Sequence, residues 1–178
     1  MKKTTAAFVL VGLAAATTAA VAIGQNLAGI IPLPLQPVIE ADKRTCAKQT
    51  PSGLGYTELR PGTGPKAGAT DYVLIDYIGY LAADGKVFDQ NTRTPMKADG
   101  VIPGFSEGLQ MIPRGAVYRF CIPAALGYGK QGAGPIPADA NLVFQVELLD
   151  SRTAAEVEAM RQSSVGAAPA APAEPAKP

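Results

Sequence analysis

The chain contains no histidine and no tryptophan among its 178 residues. Without histidine there is no Ser-His or Cys-His nucleophile pair and no imidazole base near neutral pH, and most zinc sites are excluded as well. Charge of either sign is missing in excess, since 16 Lys and Arg face 15 Asp and Glu for a net +1. That balance offers no electrostatic footprint for nucleic acid or an acidic membrane surface. Cysteine is scarce too, with only Cys46 and Cys121. The remaining chemistry must run on carboxylates, phenols, hydroxyls, amines or shape, and neither a metal nor a cofactor is expected.

The length suits one domain plus tails. Hydrophobic residues make up 47%, enough for a packed core, although much of that fraction is alanine near the two ends. At the N-terminus, Lys2 and Lys3 precede an uncharged Ala-rich stretch from Ala6 to Ile23, and Ala20-Val21-Ala22 is a small-x-small pattern. This is the order of a secretory signal. Residues 1–22 are therefore expected to be a cleaved signal peptide, with an uncleaved inner-membrane anchor as the alternative because the apolar run approaches spanning length. A bacterial envelope protein, periplasmic after export, is the expected destination. In that compartment disulfides persist, and the two cysteines predict a Cys46–Cys121 bridge.

Residues 23–45 carry Pro32, Pro34 and Pro37 without helical period and read as an extended linker. Residues 151–178 read as a short surface helix at 154–162 and a disordered Ala-Pro tail. The folded domain is expected at 46–150, where the signals are mostly strand. Gly55–Arg60 ends at a Pro-Gly turn, and Tyr72–Leu81 is rich in β-branched and aromatic residues before the Asp84-Gly85 hairpin signal. Residues 116–122 alternate Tyr118, Phe120 and Ile122 against Arg119 and Cys121. Residues 142–149 alternate Leu142, Phe144, Val146 and Leu148 against Gln145 and Glu147. Such period-two patterns predict antiparallel strands with one face on a core. Helical spacing occurs within this domain only at 105–112, through Phe105, Leu109 and Ile112. One short helix on one face of an antiparallel sheet is an α+β arrangement. The long Gly- and Pro-rich stretch at 123–141 marks a functional loop.

Three short runs carry the chemistry: Phe88-Asp89, the pentapeptide Val101-Ile102-Pro103-Gly104-Phe105, and Leu126-Gly127-Tyr128-Gly129. They set apolar side chains around one carboxylate and one phenol, like the lining of a slot for a small apolar ring. Taken singly, each has a plain reading: aromatic core, a turn or capping aspartate, a surface tyrosine. Gly62-Thr63-Gly64 is a turn, since no helix follows it to cradle a phosphate.

Taken in order, the segments at 52–64 (SGLGYTELRPGTG), 73–89 (VLIDYIGYLAADGKVFD), 101–116 (VIPGFSEGLQMIPRGA), 122–129 (IPAALGYG) and 135–150 (PIPADANLVFQVELLD) resemble the FKBP-type peptidyl-prolyl cis-trans isomerases. The resemblance covers nearly the whole expected domain. It implies a twisted antiparallel half-barrel of five or six strands around one short helix. Substrates would be proline-containing segments of folding envelope proteins, with macrolide immunophilin ligands as further occupants of the pocket and a monomer as the working state. Carried over by position, the pocket is Tyr77, Phe88, Asp89, Val101, Ile102, Phe105, Tyr128, Ile136 and Phe144. Catalysis is assigned to Asp89, Tyr128 and Phe88, and substrate binding to the others. Where the family places tryptophan on the pocket floor, this chain has Phe105. The segment between Asp89 and Val101 is shorter than the family norm, leaving open whether Met96 or Lys97 supplies the usual aromatic wall. Arg93 is a candidate to neutralise Asp89, and Asp76, ahead of Tyr77, has no evident role. A binding module without turnover is the competing class of function.

Overall fold

The computed structural model describes residue 30 and residues 38–166. The expected signal peptide, most of the expected linker and the Ala-Pro tail lie outside these described residues. Six strands form one open antiparallel sheet: β1 (Lys48–Gln49), β2 (Gly55–Arg60), β3 (Tyr72–Leu81), β4 (Val87–Lys97), β5 (Val117–Ile122) and β6 (Leu142–Arg152). Their order is β1-β2-β5-β6-β3-β4. Helix α1 (Pro103–Met111) crosses the concave face, and α2 (Ala154–Gly166) follows β6.

Alternation builds the core. Val73, Ile75 and Tyr77 of β3 join Tyr118, Phe120 and Ile122 of β5 and Leu142, Phe144, Val146 and Leu148 of β6 in one buried cluster with α1. Pro103 opens α1, where a missing N–H costs nothing because the first helical amides lack partners anyway. The helix then presents Phe105 and Leu109 to the core. Its neighbouring Gly104 and Gly108 lie against β5. A Cβ on Gly104 would sit 2.6 Å from Ile122, and one on Gly108 2.9 Å from the Phe120 ring. The absence of side chains there lets the helix lie down on the sheet. Ser52 ties the helix from outside by donating to Glu107 at 2.6 Å.

The convex face departs from expectation. Within the stretch read as extended linker, residues 38–45 pack on the sheet. Val38 bridges Lys86, Ile39 N–H donates to Gly85 O at 2.7 Å, and Ile39 is buried with Ile78, Tyr80 and Val143 in a second cluster. Tyr80 donates its phenol proton to Lys43 O at 2.6 Å, and Arg119 donates to Thr45 O at 3.3 Å. Arg119 and Gln145, placed by alternation on the face away from the core, are consequently buried. Covering Ile39 alone contributes roughly 2 kcal/mol. The Cys46–Cys121 disulfide joins this segment to β5 across 75 residues of chain.

Strand β4 shows no alternation in sequence, because its pairing with β3 shifts register twice. The Asp84-Gly85 signal does mark the β3–β4 hairpin, where Gly85 adopts φ 76°. Helix α2 begins where Thr153 and Glu156 cap each other, Glu156 accepting the Thr153 N–H at 2.8 Å and returning its own N–H to the Thr153 hydroxyl at 3.2 Å. It runs past the expected end at 162 to Gly166. The loop at 123–141 closes on itself through two single-turn 3-10 helices and an Asp139 N–H to Gly129 O bond of 2.8 Å.

Two predictions follow from the convex face. Closing so long a loop restricts the unfolded chain, so replacing both Cys46 and Cys121 by Ser is expected to cost about 3–5 kcal/mol. Urea titration of the oxidised protein and the double variant measures this; equal midpoints would contradict it. The second concerns Tyr80, whose phenol is pushed up to about 12 by burial, against the opposing pull of Arg119. The unfolded phenol titrates near 10, so between about pH 10 and about pH 12 the native state holds a proton that the unfolded state has released. Stability is then complete below this window and falls as pH rises through it. Tyr80→Phe should flatten part of that fall in urea midpoints, and an unchanged slope would show that Tyr80 does not carry it.

Candidate active site

The concave face of β3 sets the site. Tyr77 projects from it toward α1, and Gly79, also facing inward, projects nothing. A Cβ on Gly79 would lie 2.6 Å from the Phe144 ring and 2.8 Å from the Phe88 ring. Those two rings therefore meet over the glycine, edge to face, with centroids 5.5 Å apart. Phe105 of α1 reaches Phe144 at 4.7 Å and Tyr77 at 6.3 Å. Four aromatic rings, from three strands and one helix, form the floor and wall of a cavity of about 510 Å³.

All nine sequence-predicted pocket residues line this cavity: Tyr77, Phe88, Asp89, Val101, Ile102, Phe105, Tyr128, Ile136 and Phe144. Phe105, Phe144, Tyr77 and Ile136 are buried, whereas Tyr128 is 40% exposed at the rim. Met96, Gly100, Ala133, Gly134 and Pro135 complete the lining. The open choice between Met96 and Lys97 resolves to Met96. Lys97 is exposed and pairs with Asp99 at 3.1 Å, a contact worth little in water. The sequence left Met96 and Lys97 undecided because the register of β4 carries no alternation. The loop residues at 133–135 carry no periodicity by which they could have been found.

One polar contact organises the cavity. The Tyr77 hydroxyl donates to Asp89 Oδ2 at 2.7 Å. Burial first, and then the adjacent Asp89 carboxylate, push the Tyr77 phenol well above its usual range. The Tyr77 hydroxyl thus stands as a proton donor to the Asp89 carboxylate. The expected Arg93–Asp89 ion pair does not form. Arg93 is exposed, and its backbone N–H donates to Asp76 Oδ1 at 2.6 Å. The Ile102 amide lies at the N-terminal end of α1. Neither it nor the Tyr128 hydroxyl donates a hydrogen bond to the described residues.

Among the described residues there is no cluster of metal-binding side chains, and beside the one carboxylate stand only apolar walls, phenols and backbone amides. Such a site can bind an apolar ring, exclude water from it, and orient an amide carbonyl.

Comparison with known proteins agrees with this geometry. Residues 64–149 match the family described as FKBP-type peptidyl-prolyl cis-trans isomerase. The chain is 46% identical over 111 residues to the FKBP-type peptidyl-prolyl cis-trans isomerase FkpA of Aeromonas hydrophila, covering 60% of this chain and 41% of that protein. It is 39% identical over 110 residues to the outer membrane protein MIP of Legionella longbeachae, covering 59% and 47%. The chain thus spans about half the length of the curated relatives it matches. Among solved structures, FkpA from Escherichia coli superposes with a TM-score of 0.58 at 40% identity, over 60% of this chain and 52% of that one. A peptidyl-prolyl cis-trans isomerase from Pseudomonas syringae pv. tomato superposes with a TM-score of 0.57 at 42% identity, over 60% of this chain and 80% of that one. By its matched segments, its half-barrel and its aromatic cavity, the chain belongs to the FKBP-type peptidyl-prolyl cis-trans isomerases.

Proposed function

We propose that this chain accelerates cis-trans isomerisation of X-Pro bonds in exported proteins. The observation that carries the reading is the cavity itself, a slot lined by five aromatic rings and a single carboxylate held by Tyr77. Rotation about an amide faces a barrier of about 18–20 kcal/mol because resonance is lost on twisting. Uncatalysed X-Pro exchange accordingly takes tens to hundreds of seconds. The planar amide is the more polar form and relies on solvation. An apolar cavity withdraws that solvation and favours the twisted amide, whose nitrogen is pyramidal. Phe88, Val101, Ile102, Phe105 and Phe144 supply the environment, and Ile136 closes it from the loop. The Tyr128 hydroxyl and the Ile102 N–H hold substrate carbonyls. Asp89 places a fixed field beside the twisting amide. Each tenfold in rate needs only about 1.4 kcal/mol, and preferential binding of the twisted form supplies it without any covalent step.

The substrates are proline-bearing segments of proteins folding in the envelope. Macrolides of the immunophilin type fit the same apolar slot, and the chain works as a monomer. Export is supported by the Lys2-Lys3 and Ala-rich opening and by a disulfide of the kind that persists outside the cytoplasm. Among the described residues no helix is long and apolar enough to cross a membrane. N-terminal sequencing of the protein from an envelope fraction is expected to begin near Ile23, with intact Met1 on membrane-extracted material indicating the anchored alternative.

A protease-coupled tetrapeptide assay on the purified protein tests the activity. Faster isomerisation is expected; binding of proline peptides without it would indicate a holding module instead. Phe144→Ala is expected to lower kcat/KM at least about tenfold and to cost about 3 kcal/mol of stability through the cavity left behind. Tyr128→Phe removes one hydrogen bond, so a loss of roughly threefold to tenfold with an unchanged fold is expected. Asp89→Leu should lower turnover more than stability, since a carboxylate beside apolar walls is a poor way to stabilise a core. No single substitution should abolish activity. One indispensable polar side chain beside freely truncated walls would overturn the desolvation mechanism.

A further inference from the structure

Asp76 lies in mid-β3, opposite Glu147 of β6, and does not line the cavity. Glu147 is answered by Arg60. The Asp76 carboxylate serves something else: its Oδ1 accepts the Arg93 backbone N–H at 2.6 Å across the β3–β4 pair. Arg93 stands at φ 49°, in the left-handed region that residues with a side chain rarely adopt. A residue held there signals a constraint with a purpose.

The register shows what is constrained. Ile75 faces Thr94, and Tyr77 faces Asn91, so two steps along β3 match three along β4. Strand β4 therefore carries one extra residue at Thr92–Arg93, a bulge. Side chains alternate along a strand, so residues separated by an odd number of positions face opposite sides. Asp89 and Met96 are separated by an odd number, yet both line the cavity. Their partners on β3 are Gly79 and Val73, which share the concave face with Tyr77. Only the extra residue reconciles the two placements. With a straight β4, either Asp89 or Met96 would point away from the substrate.

We propose that Asp76 is a positioning residue for this cavity: by holding the Arg93 amide, its carboxylate fixes the one-residue insertion that turns Asp89 and Met96 toward the same substrate. Asp89 then stands where Tyr77 can hold it, and Met96 supplies the wall that meets the residue beside proline. Asp76 thus governs both turnover and the preference for flanking residues, without touching substrate. The catalytic side of this inference rests on the isomerase reading; the strand geometry stands without it.

The test uses the full chain and four proteins: wild type, Asp76→Ala, Asp76→Asn and the double variant Asp76→Ala with Arg93→Gly. Asparagine keeps an oxygen to accept the amide, and glycine adopts the left-handed conformation without cost. Asp76→Ala is expected to lower kcat/KM roughly tenfold, as displacement of a catalytic group does, and to change the ranking of peptides differing in the residue before proline. Asparagine and the double variant should both recover most of the rate and the wild-type ranking. Hydrogen exchange supplies a readout independent of catalysis, with the Arg93 amide protected in wild type and Asp76→Asn and exposed in Asp76→Ala. If Asp76→Ala does not fold, the double variant carries the test, and a folded but inactive double variant overturns the proposal. A folded Asp76→Ala protein with wild-type rate and ranking overturns it equally. If the wild type itself shows no isomerase activity, that reading fails separately. The insertion is then judged by Arg93 exchange and by the pairing of Val73 with Met96 and of Gly79 with Asp89 in each variant; unchanged exchange and pairing in Asp76→Ala would reject it.

Discussion

The closeness of α1 to the sheet is the constraint on which the cavity depends. Gly104 and Gly108 remove two Cβ atoms where Ile122 and Phe120 already stand, so the helix settles at a depth that larger residues would forbid. That depth brings Phe105 onto Phe144. Across the cavity Gly79 repeats the device, its missing side chain admitting the rings of Phe88 and Phe144. A tryptophan in place of Phe105 would fill more of the same space. Here the floor is Phe105, in contact with the rings of Phe144 and Tyr77.

The convex face explains how so thin a sheet stays rigid under that cavity. Strand β3 is shared by both sides, with Tyr77 turned to the pocket and Tyr80 turned to the N-terminal segment. Ile39, the Tyr80–Lys43 hydrogen bond and the Cys46–Cys121 bridge clamp that segment against β3, β5 and β6. A single sheet with one solvated face would leave half of these strands wet. Covering the second face gives β3 two cores, which suits a strand that must hold Tyr77 still.

The chemistry of the site is correspondingly spare. Burial and the neighbouring Asp89 carboxylate raise the Tyr77 phenol, whose hydroxyl donates to that carboxylate. The proposed mechanism asks no proton transfer of this pair, which accords with a chain that has no histidine at all. In the proposed mechanism the polar groups contribute preorganisation and the apolar walls contribute desolvation.

Much of this was legible in the residues. The alternation of Tyr118, Phe120 and Ile122, and of Leu142 through Leu148, is local, so it declared two core strands and their inward faces. The spacing of Phe105 and Leu109 declared the helix, and the order of the short motifs brought nine pocket residues together before any geometry was known. What the chain did not declare depends on residues distant in sequence. Strand β4 was hidden because its two bulges break the period that makes a strand visible, and the choice between Met96 and Lys97 stayed open with it. The burial of Arg119 and Gln145 depends on a segment some seventy to a hundred residues upstream folding across them; Cys121, on the same outer face as Arg119, pointed to such a segment, but its extent has no hydrophobic period to mark it. Arg93 looked like a partner for Asp89 by charge and proximity. The backbone instead turned its amide to Asp76, whose role appears only when two strands are laid side by side. Local pattern determines which face of a strand is apolar; only the paired strands decide which residues share a cavity, since one inserted residue reverses every side chain beyond it.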